Sequence, residues 1–346
     1  MSKVMAMDGE ERNTGAPPRV SVIIPTHNSA PTIGRALASV LSQSYQPFEI
    51  IVVDDGSGDD TVRIVEADPS PQIRVMRLTE CAGAAGARNA GIEAASGELV
   101  AFLDADDAWH PAKLERQVAL IQSSDRYVFV ACASEEFAVD GEDLGDTFRG
   151  RRPLSGPDGW KGLLACNTVA TPTVLVWRRH LVELGGFNRA LEIGEDQDMW
   201  IRLALRGEIG YLPECLAYVY TRANSLSDRG FREHIAVTLR MVEGHVAALR
   251  DRLTAAEIRA IRGERIGRIG RIACAESYIA GVGLVLRAAL LGYQPIGSLA
   301  FVLRASPPAR WLKRHIRAMV NAIGNGGRAD VRPSPPQAPL RRCGDG

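Results

Sequence analysis

Three aspartates, Asp104, Asp106 and Asp107, close the apolar run of LVAFLDADDAW. Carboxylates this close repel one another, so the cluster asks for a compensating charge. An Asp-x-Asp after a buried strand can hold a divalent cation, Mg2+ or Mn2+, which takes hard oxygen ligands: one or two carboxylates plus substrate phosphates. Aspartates also suit turns and helix caps, so both readings stand on this stretch alone. A second pair, Asp54 and Asp55, ends EIIVVDDGS. It is either a turn or a set of acceptors for ribose and base. Arg88 in GAAGARNAG offers a permanently charged fork for a phosphate or a nucleobase edge, or else a solvated helix face. Gly194, Glu195 and Asp196 read either as a helix N-terminus or as a general base with its neighbour. A hydroxyl is a weak nucleophile at neutral pH, and a positioned carboxylate that takes its proton lowers the barrier.

The elements that must position these groups are legible as apolar runs. VSVIIP, EIIVVD, IRVMRL and ELVAFL lack clean alternation and are separated by helix-period segments, PTIGRALASVLSQS, DDTVRIVEA, GAAGARNAGIEAAS and PAKLERQVALIQSS. Continuous apolar strands alternating with helices predict an α/β fold whose mostly parallel sheet is covered on both faces. Such sheets bind ligands at the carboxyl ends of their strands, where strand order reverses. Two of the four strands end in the acid clusters. Beyond Ser124 the pattern changes to YVFVACAS, TPTVLVW and LAYVYTR, with a hairpin turn at Asp140–Gly141. GEDQDMWIRLALRG reads as a loop entering a helix, and from Phe231 onward the segments look helical.

Composition excludes several classes. The chain has 346 residues, 46% apolar and 24% charged, with no net charge. These are ordinary globular values with enough chain for a sizeable core. No apolar run reaches the roughly 18 residues a membrane span needs. The first residues lack a signal peptide's apolar stretch. The six cysteines show no metal-finger spacing and read as reduced thiols in a cytoplasmic protein. The neutral total hides an asymmetry. From Phe231 to the end there are 19 Lys and Arg against 8 Asp and Glu, and before it 22 against 33. Arg259, Arg262, Arg265, Arg268 and Arg271 recur every three residues. Near the end, PARWLKRHIRAMVNAI is a basic amphipathic helix carrying Trp311. It suits an anionic membrane surface, or packing on the catalytic part with its charges solvated. Nucleic acid is not an expected partner.

Taken jointly, VSVIIPTHN, VVDDGSGDDT, GAAGARNAG, GELVAFLDADDAW, GGF and GEDQDMWIRLA stand in the order seen in family 2 glycosyltransferases, and the chain resembles that family over Arg19 to Asp228. The resemblance implies a GT-A fold with a mixed, mostly parallel central sheet, a nucleoside-diphosphate sugar donor, and transfer with inversion. By motif position it places Pro25, His27 and Asp54 or Asp55 on the nucleoside, Arg88 near base or phosphates, and Asp104 and Asp106 as the Asp-x-Asp pair. Asp106, with Asp107, is nearest the metal. Asp196 is the base and Glu195 its neighbour toward the acceptor. His27 is a departure, since many relatives carry Tyr there. No Q-x-x-R-W motif of processive relatives is present, so one sugar per acceptor is expected. Trp160 and Asn167 are expected on the acceptor side, and a glycan or lipid-linked glycan is the implied acceptor class.

The expected organisation is a disordered lead-in over 1–18, the GT-A domain over 19–230, a helical region over 231–323 and a disordered tail over 324–346. The location implied is cytoplasmic, with peripheral attachment to the inner face of the membrane open. Two competitors remain. A nucleotidyltransferase would carry a Gly-rich loop after the first strand, where PTHNSAPT has no glycine. A degenerate sugar-binding scaffold would lose the metal acids or the base, and both are kept.

Overall fold

A computed structural model describes residues 16–138, 141–148, 150–153, 155–221, 231–276, 278–294 and 301. The elements follow in chain order: β1 (Val20–Thr26), α1 (Ile33–Leu41), β2 (Glu49–Asp54), α2 (Thr61–Glu66), β3 (Ile73–Arg77), α3 (Gly83–Ala94), β4 (Leu99–Phe102), β5 (Ala108–Trp109), α4 (Lys113–Gln122), β6 (Tyr127–Ala138), β7 (Asp143–Asp146), α5 (Gly159–Ala165), β8 (Val174–Trp177), α6 (Arg178–Glu183), α7 (Glu195–Ala204), β9 (Glu208–Thr221), α8 (Phe231–Ala248), α9 (Ala255–Glu276) and α10 (Tyr278–Leu290).

The strands form one sheet in the order β3-β2-β1-β4-β8-β6-β9-β5, with β7 paired to β6. β3, β2, β1 and β4 run parallel, while β8 joins β4 and β6 antiparallel. The reason β1, β2 and β4 read as unbroken apolar runs is now visible. Ile23, Ile51, Val100 and Phe102 face one core, against α3, α5 and α7. Val22, Ile24, Val52 and Ala101 face the other, against α1 and α4. A period of two with both faces covered leaves few polar positions, and Ser21 of β1 meets its need by donating to Glu49 Oε1 of β2 at 2.7 Å. β1 sits between β2 and β4, so strand order reverses there and the crevice opens at the ends of β1, β2 and β4, where the acids lie.

Two elements were hidden in the sequence. β5 lies inside DDAW and pairs Ala108 with Tyr218 of β9. The first half of β9 contains Gly210 and Pro213, residue types that weaken or interrupt a strand. The strand continues through them, parallel to β6, because a register shift between Cys132 and Ala133 leaves Pro213 and Glu214 outside the ladder. The predicted hairpin matches the antiparallel β6–β7 pair, with Gly141 at φ 87°.

Among the described residues, the helices beyond Phe231 join the main core. Val242 and Val246 of α8 and Ile261 of α9 pack in the same cluster as Trp200 and Phe129. Among the described residues, no helix is long and apolar enough to cross a membrane. Most of the expected lead-in, the amphipathic helix at 308–323 and the tail at 324–346 lie outside the described residues. Cys81, Cys132, Cys166 and Cys274 are free thiols.

Candidate active site

The end of β4 and the start of α7 are joined through one side chain. Arg88, on the buried face of α3, donates from Nη2 to Asp104 Oδ1 at 2.8 Å and from Nη1 to Glu195 Oε1 at 2.7 Å. Arg88 is only 5% exposed, so this bridge is shielded from water and salt. The two carboxylates hold its guanidinium charged against the opposing effect of burial. A helix-face arginine in the sequence is therefore the tie between the Asp-x-Asp turn and the Gly-Glu-Asp motif.

α3 is itself clamped. The side-chain amide of Asn89 donates to Phe187 O at 2.8 Å and accepts the Phe187 N–H at 2.7 Å. Gly186 has φ 74°, and a Cβ there would sit 2.3 Å from Asn89 Oδ1, so only glycine allows the approach. This explains GGF: it lets Phe187 lie beneath Arg88, with the guanidinium carbon 5.5 Å from the ring centroid. Nothing local in the sequence marks Asn89 or Gly186 for this task, because the contact joins positions 98 residues apart.

α7 starts after Gly194, at φ 80°, and its first residue, Glu195, meets Arg88. Asp196 Oδ2 accepts Asn167 Nδ2–H at 2.9 Å and Oδ1 accepts the Gln197 N–H at 2.6 Å. Burial, then the neighbouring Glu195 charge, raise the Asp196 carboxyl to about 7, against the stabilising pull of those donors and Arg88. A carboxyl that titrates there can accept a proton near neutrality. Asp198, two residues on and nearly opposite around α7, accepts from Arg202 Nε and His245 Nε2, both at 2.8 Å, and so ties α7 to α8.

The nucleotide-side residues are placed as follows. Asp54 is buried at the end of β2 and accepts the Ser57 N–H at 3.3 Å, so it also serves the turn. Asp55 accepts the N–H groups of Ala82 and Gly83 at 2.6 and 2.9 Å and anchors the start of α3. His27 Nδ1–H donates to the Asp55 carbonyl at 2.8 Å, which leaves Nε2 to accept Asn28 Nδ2–H at 2.9 Å. Both ring nitrogens are engaged, and the exposed ring offers its face. Pro25 lies in β1, partly buried beside them.

The three Asp-x-Asp acids do not act alike. Asp104 and Asp106 are partly exposed at the mouth of β4. Asp107 is 4% exposed, and its Oδ1 accepts the Tyr220 N–H at 2.9 Å. Burial, with the charges of Asp104 and Asp106, pushes its carboxyl well up. For Asp107, expected with Asp106 at the metal, the structure shows one carboxyl oxygen joining the turn to β9. Arg35 completes that joint, donating to the Asp106 carbonyl and stacking 3.6 Å over the Tyr220 ring. Among the described residues no group of three His, Cys, Asp or Glu side chains is arranged to hold a metal. Asp106 and the free oxygen of Asp104 fit a cation that completes its shell with phosphates and water, and they do not form a cage.

The expectation for Trp160 is corrected. It is 1% exposed and belongs to the core under α5, so it cannot line an acceptor surface. Asn167 reaches the site through Asp196, which it positions.

The sequence profile described as Glycosyl transferase family 2 matches residues 21–166. The Bacillus subtilis protein named as a teichuronic acid biosynthesis glycosyltransferase, TuaG, is 33% identical over 219 residues, covering 62% of this chain and 84% of TuaG. The chain belongs to glycosyltransferase family 2. Within this family 2 glycosyltransferase the match weakens with length. Escherichia coli WfgD, a UDP-Glc:α-D-GlcNAc-diphosphoundecaprenol β-1,3-glucosyltransferase by name, is 42% identical over 103 residues, 30% of this chain and 40% of WfgD. The chain spans less than half of several such relatives. The fold matches that of S. aureus TarS, solved in complex with UDP-GlcNAc, at TM-score 0.53 and 19% identity, over 87% of this chain and 92% of TarS 1-349. The fold is GT-A.

Proposed function

We propose that this glycosyltransferase moves a single sugar from a nucleoside-diphosphate sugar to an acceptor hydroxyl, with inversion at the anomeric carbon. Asp196 is the general base. The observation that carries the reading is the pairing of Asp196, held by Asn167 and poised near neutrality, with an Asp-x-Asp turn tied to the same crevice through Arg88 and Glu195.

In this reading the acceptor O–H gives its proton to the Asp196 carboxylate while the oxygen attacks the anomeric carbon. The bond from that carbon to the diphosphate breaks, and its electron pair leaves with the nucleoside diphosphate. Asp106 and Asp104 would hold Mg2+ or Mn2+, which neutralises negative charge on the departing diphosphate. Arg88 keeps Asp104 and Glu195 in register. Asp54, Asp55, Pro25 and His27 frame the nucleoside end, with the His27 face available for stacking on a base.

The names of the relatives support cell-surface polysaccharide or glycolipid synthesis, with a glycan or lipid-linked glycan as acceptor. Attachment to an anionic membrane fits such an acceptor. Ile279, Leu286 and Leu290 lie on one exposed face of α10, at 85%, 45% and 89% exposure, in a region whose charge is strongly positive.

The test is incubation with UDP-, GDP- and dTDP-sugars plus Mn2+. Slow release of the free nucleoside diphosphate from one donor is expected. Release of pyrophosphate would instead identify a nucleotidyltransferase, and no turnover of any donor would favour a binding scaffold.

A further inference from the structure

The start of α7 is gripped by a helix that lies beyond the last family motif, GEDQDMWIRLA. Thr238, Met241 and His245 of α8 are spaced three and four residues apart, which puts them in one stripe along that helix. His245 Nε2–H donates to Asp198 Oδ1 at 2.8 Å. A Cβ on Gly194 would lie 3.1 Å from Thr238 Cγ2 and 3.5 Å from Met241 Cε. Position 194 is therefore glycine on two counts, its φ of 80° and the closeness of α8. Gly194 and Asp198 are four residues apart and so share one side of α7. Asp196 stands about 200° around the helix from Asp198, at about 100° per residue. α8 thus holds the turn from behind, while Asn167 and Arg88 meet Asp196 and Glu195.

Asp198 is a shared anchor. Its Oδ2 accepts Arg202 Nε at 2.8 Å, and Arg202 goes on to the carbonyls of Leu184 at 3.1 Å and Gly186 at 2.9 Å. Against burial, the His245 hydrogen bond and then Arg202 hold the Asp198 carboxyl below its ordinary value. Its hydrogen bonds are therefore to an ionised acceptor, the stronger class. The Asp198 side chain is 8% exposed and that of His245 17%, so water does not freely replace a lost donor. Behind α8, Arg265 of α9 donates to the carbonyls of Thr238 and Leu164, both at 3.2 Å, and fastens α8 to α9 and α5. A helical turn moves as a unit. Loosening the grip on Asp198 and Gly194 therefore displaces Asp196, and about 1 Å of misplacement is enough to cost about 100-fold in rate.

We propose that His245, with Thr238 and Met241, positions Asp196 by clamping the first turn of α7 from behind, so that α8 belongs to the catalytic unit. This rests on the reading of Asp196 as the base. His245 is a positioning residue, since it acts through Asp198 and the helix turn.

Hydrogen exchange on the full chain reads the clamp without any donor. In His245→Leu the amides of the first turn of α7 should exchange severalfold faster than in the unaltered chain, among them the Asp198 N–H, which donates to Gly194 O at 3.0 Å. His245→Gln keeps an N–H at the place of Nε2 and should restore most of the protection. Unchanged exchange in His245→Leu overturns the clamp. Transfer is then measured with the donor that the nucleotide-sugar panel selects. In His245→Leu kcat should fall about 10- to 100-fold, with KM for the donor within about twofold, and His245→Gln should recover most of the loss. Unchanged kcat in His245→Leu, or an equal fall in His245→Gln, overturns the positioning role. Val40→Ala, in the buried core of α1, destabilises the fold at a distance and should keep its kcat. A matching loss there would make the effect one of general destabilisation and overturn the proposal. Should His245→Leu fail to fold, Met241→Ala, which removes packing from Gly194, carries both measurements. Asp196→Asn separates the two readings. Full sugar transfer by that variant refutes the base, whereas first-turn exchange in the His245 variants reports only on the clamp.

Discussion

The side-chain amide of Asn167 donates to Asp196 Oδ2 at 2.9 Å across 29 residues of chain. A loop residue preceding β8 thus fixes the carboxylate at the first turn of α7. Removing the amide in Asn167→Ala should lower kcat about 10- to 100-fold, the range expected for a hydrogen bond to a charged group, with donor affinity unchanged. The donor favours the ionised form, so its loss should also move the acidic limb of the pH–rate profile to higher pH. An unmoved limb would show that Asn167 has no influence on the base.

With Asp196 as the proposed base, its carboxyl should set the limb. The base must be ionised, so kcat/KM should rise about tenfold per pH unit below roughly 7 and level off above it. Asp196→Asn should abolish transfer while sparing donor binding. Stability runs the opposite way. The unfolded chain releases this proton near 4 and the folded one near 7, so the folded state binds more protons in between. The contribution of Asp196 is therefore full below about pH 4 and declines toward 7. Thermal melts of Asp196→Asn across that window should show a smaller decline.

Arg88 bridges two acids where water is scarce. Arg88→Met leaves Asp104 and Glu195 facing each other without a cation and should cost about 3–5 kcal/mol in a denaturant melt. Arg88→Lys keeps the charge and loses the fork, so it should recover part of the stability and little of the activity. Full activity in the lysine variant would show that the two-ended bridge is dispensable.

Asp106 and Asp107 should separate experimentally. Asp106→Ala should fold normally and lose turnover by orders of magnitude, along with Mn2+ affinity measured with nucleoside diphosphate present. Asp107→Ala should instead lower the melting temperature, because it removes the acceptor of the Tyr220 N–H. Undiminished transfer by a folded Asp106→Ala protein would remove that residue from the metal site.

Membrane attachment is tested by sedimentation of the full chain with vesicles. Phosphatidylglycerol vesicles should pellet it at low salt and less at high salt, as screening weakens the basic region. Phosphatidylcholine vesicles should not. Leu286→Glu with Leu290→Glu, and separately Trp311→Glu, should each reduce pelleting, and equal pelleting of all forms would exclude both surfaces.

Local sequence determined the parallel half of this fold. The runs in β1, β2 and β4 are apolar at consecutive positions because both sheet faces are covered. The acid clusters follow them directly, so the place of the crevice was readable from chain order. The family motifs were also contiguous, which is why Asp104, Asp106, Arg88 and Asp196 could be singled out together. Tertiary structure decided everything that depends on a partner distant in the chain. Arg88 reads as a helix-face residue until Asp104 and Glu195, 16 and 107 residues away, converge on its two nitrogens. Asp107 resembles its neighbours in type and spacing, yet the backbone turns it under β9, 113 residues on. Trp160 and Asn167 lie seven positions apart and seemed alike as acceptor residues. The packing of α5 buries one in the core and leaves the other to hold the Asp196 carboxyl. A residue's type limits the bonds it can make, but the direction of its side chain and its distance from a partner are set by how the elements pack.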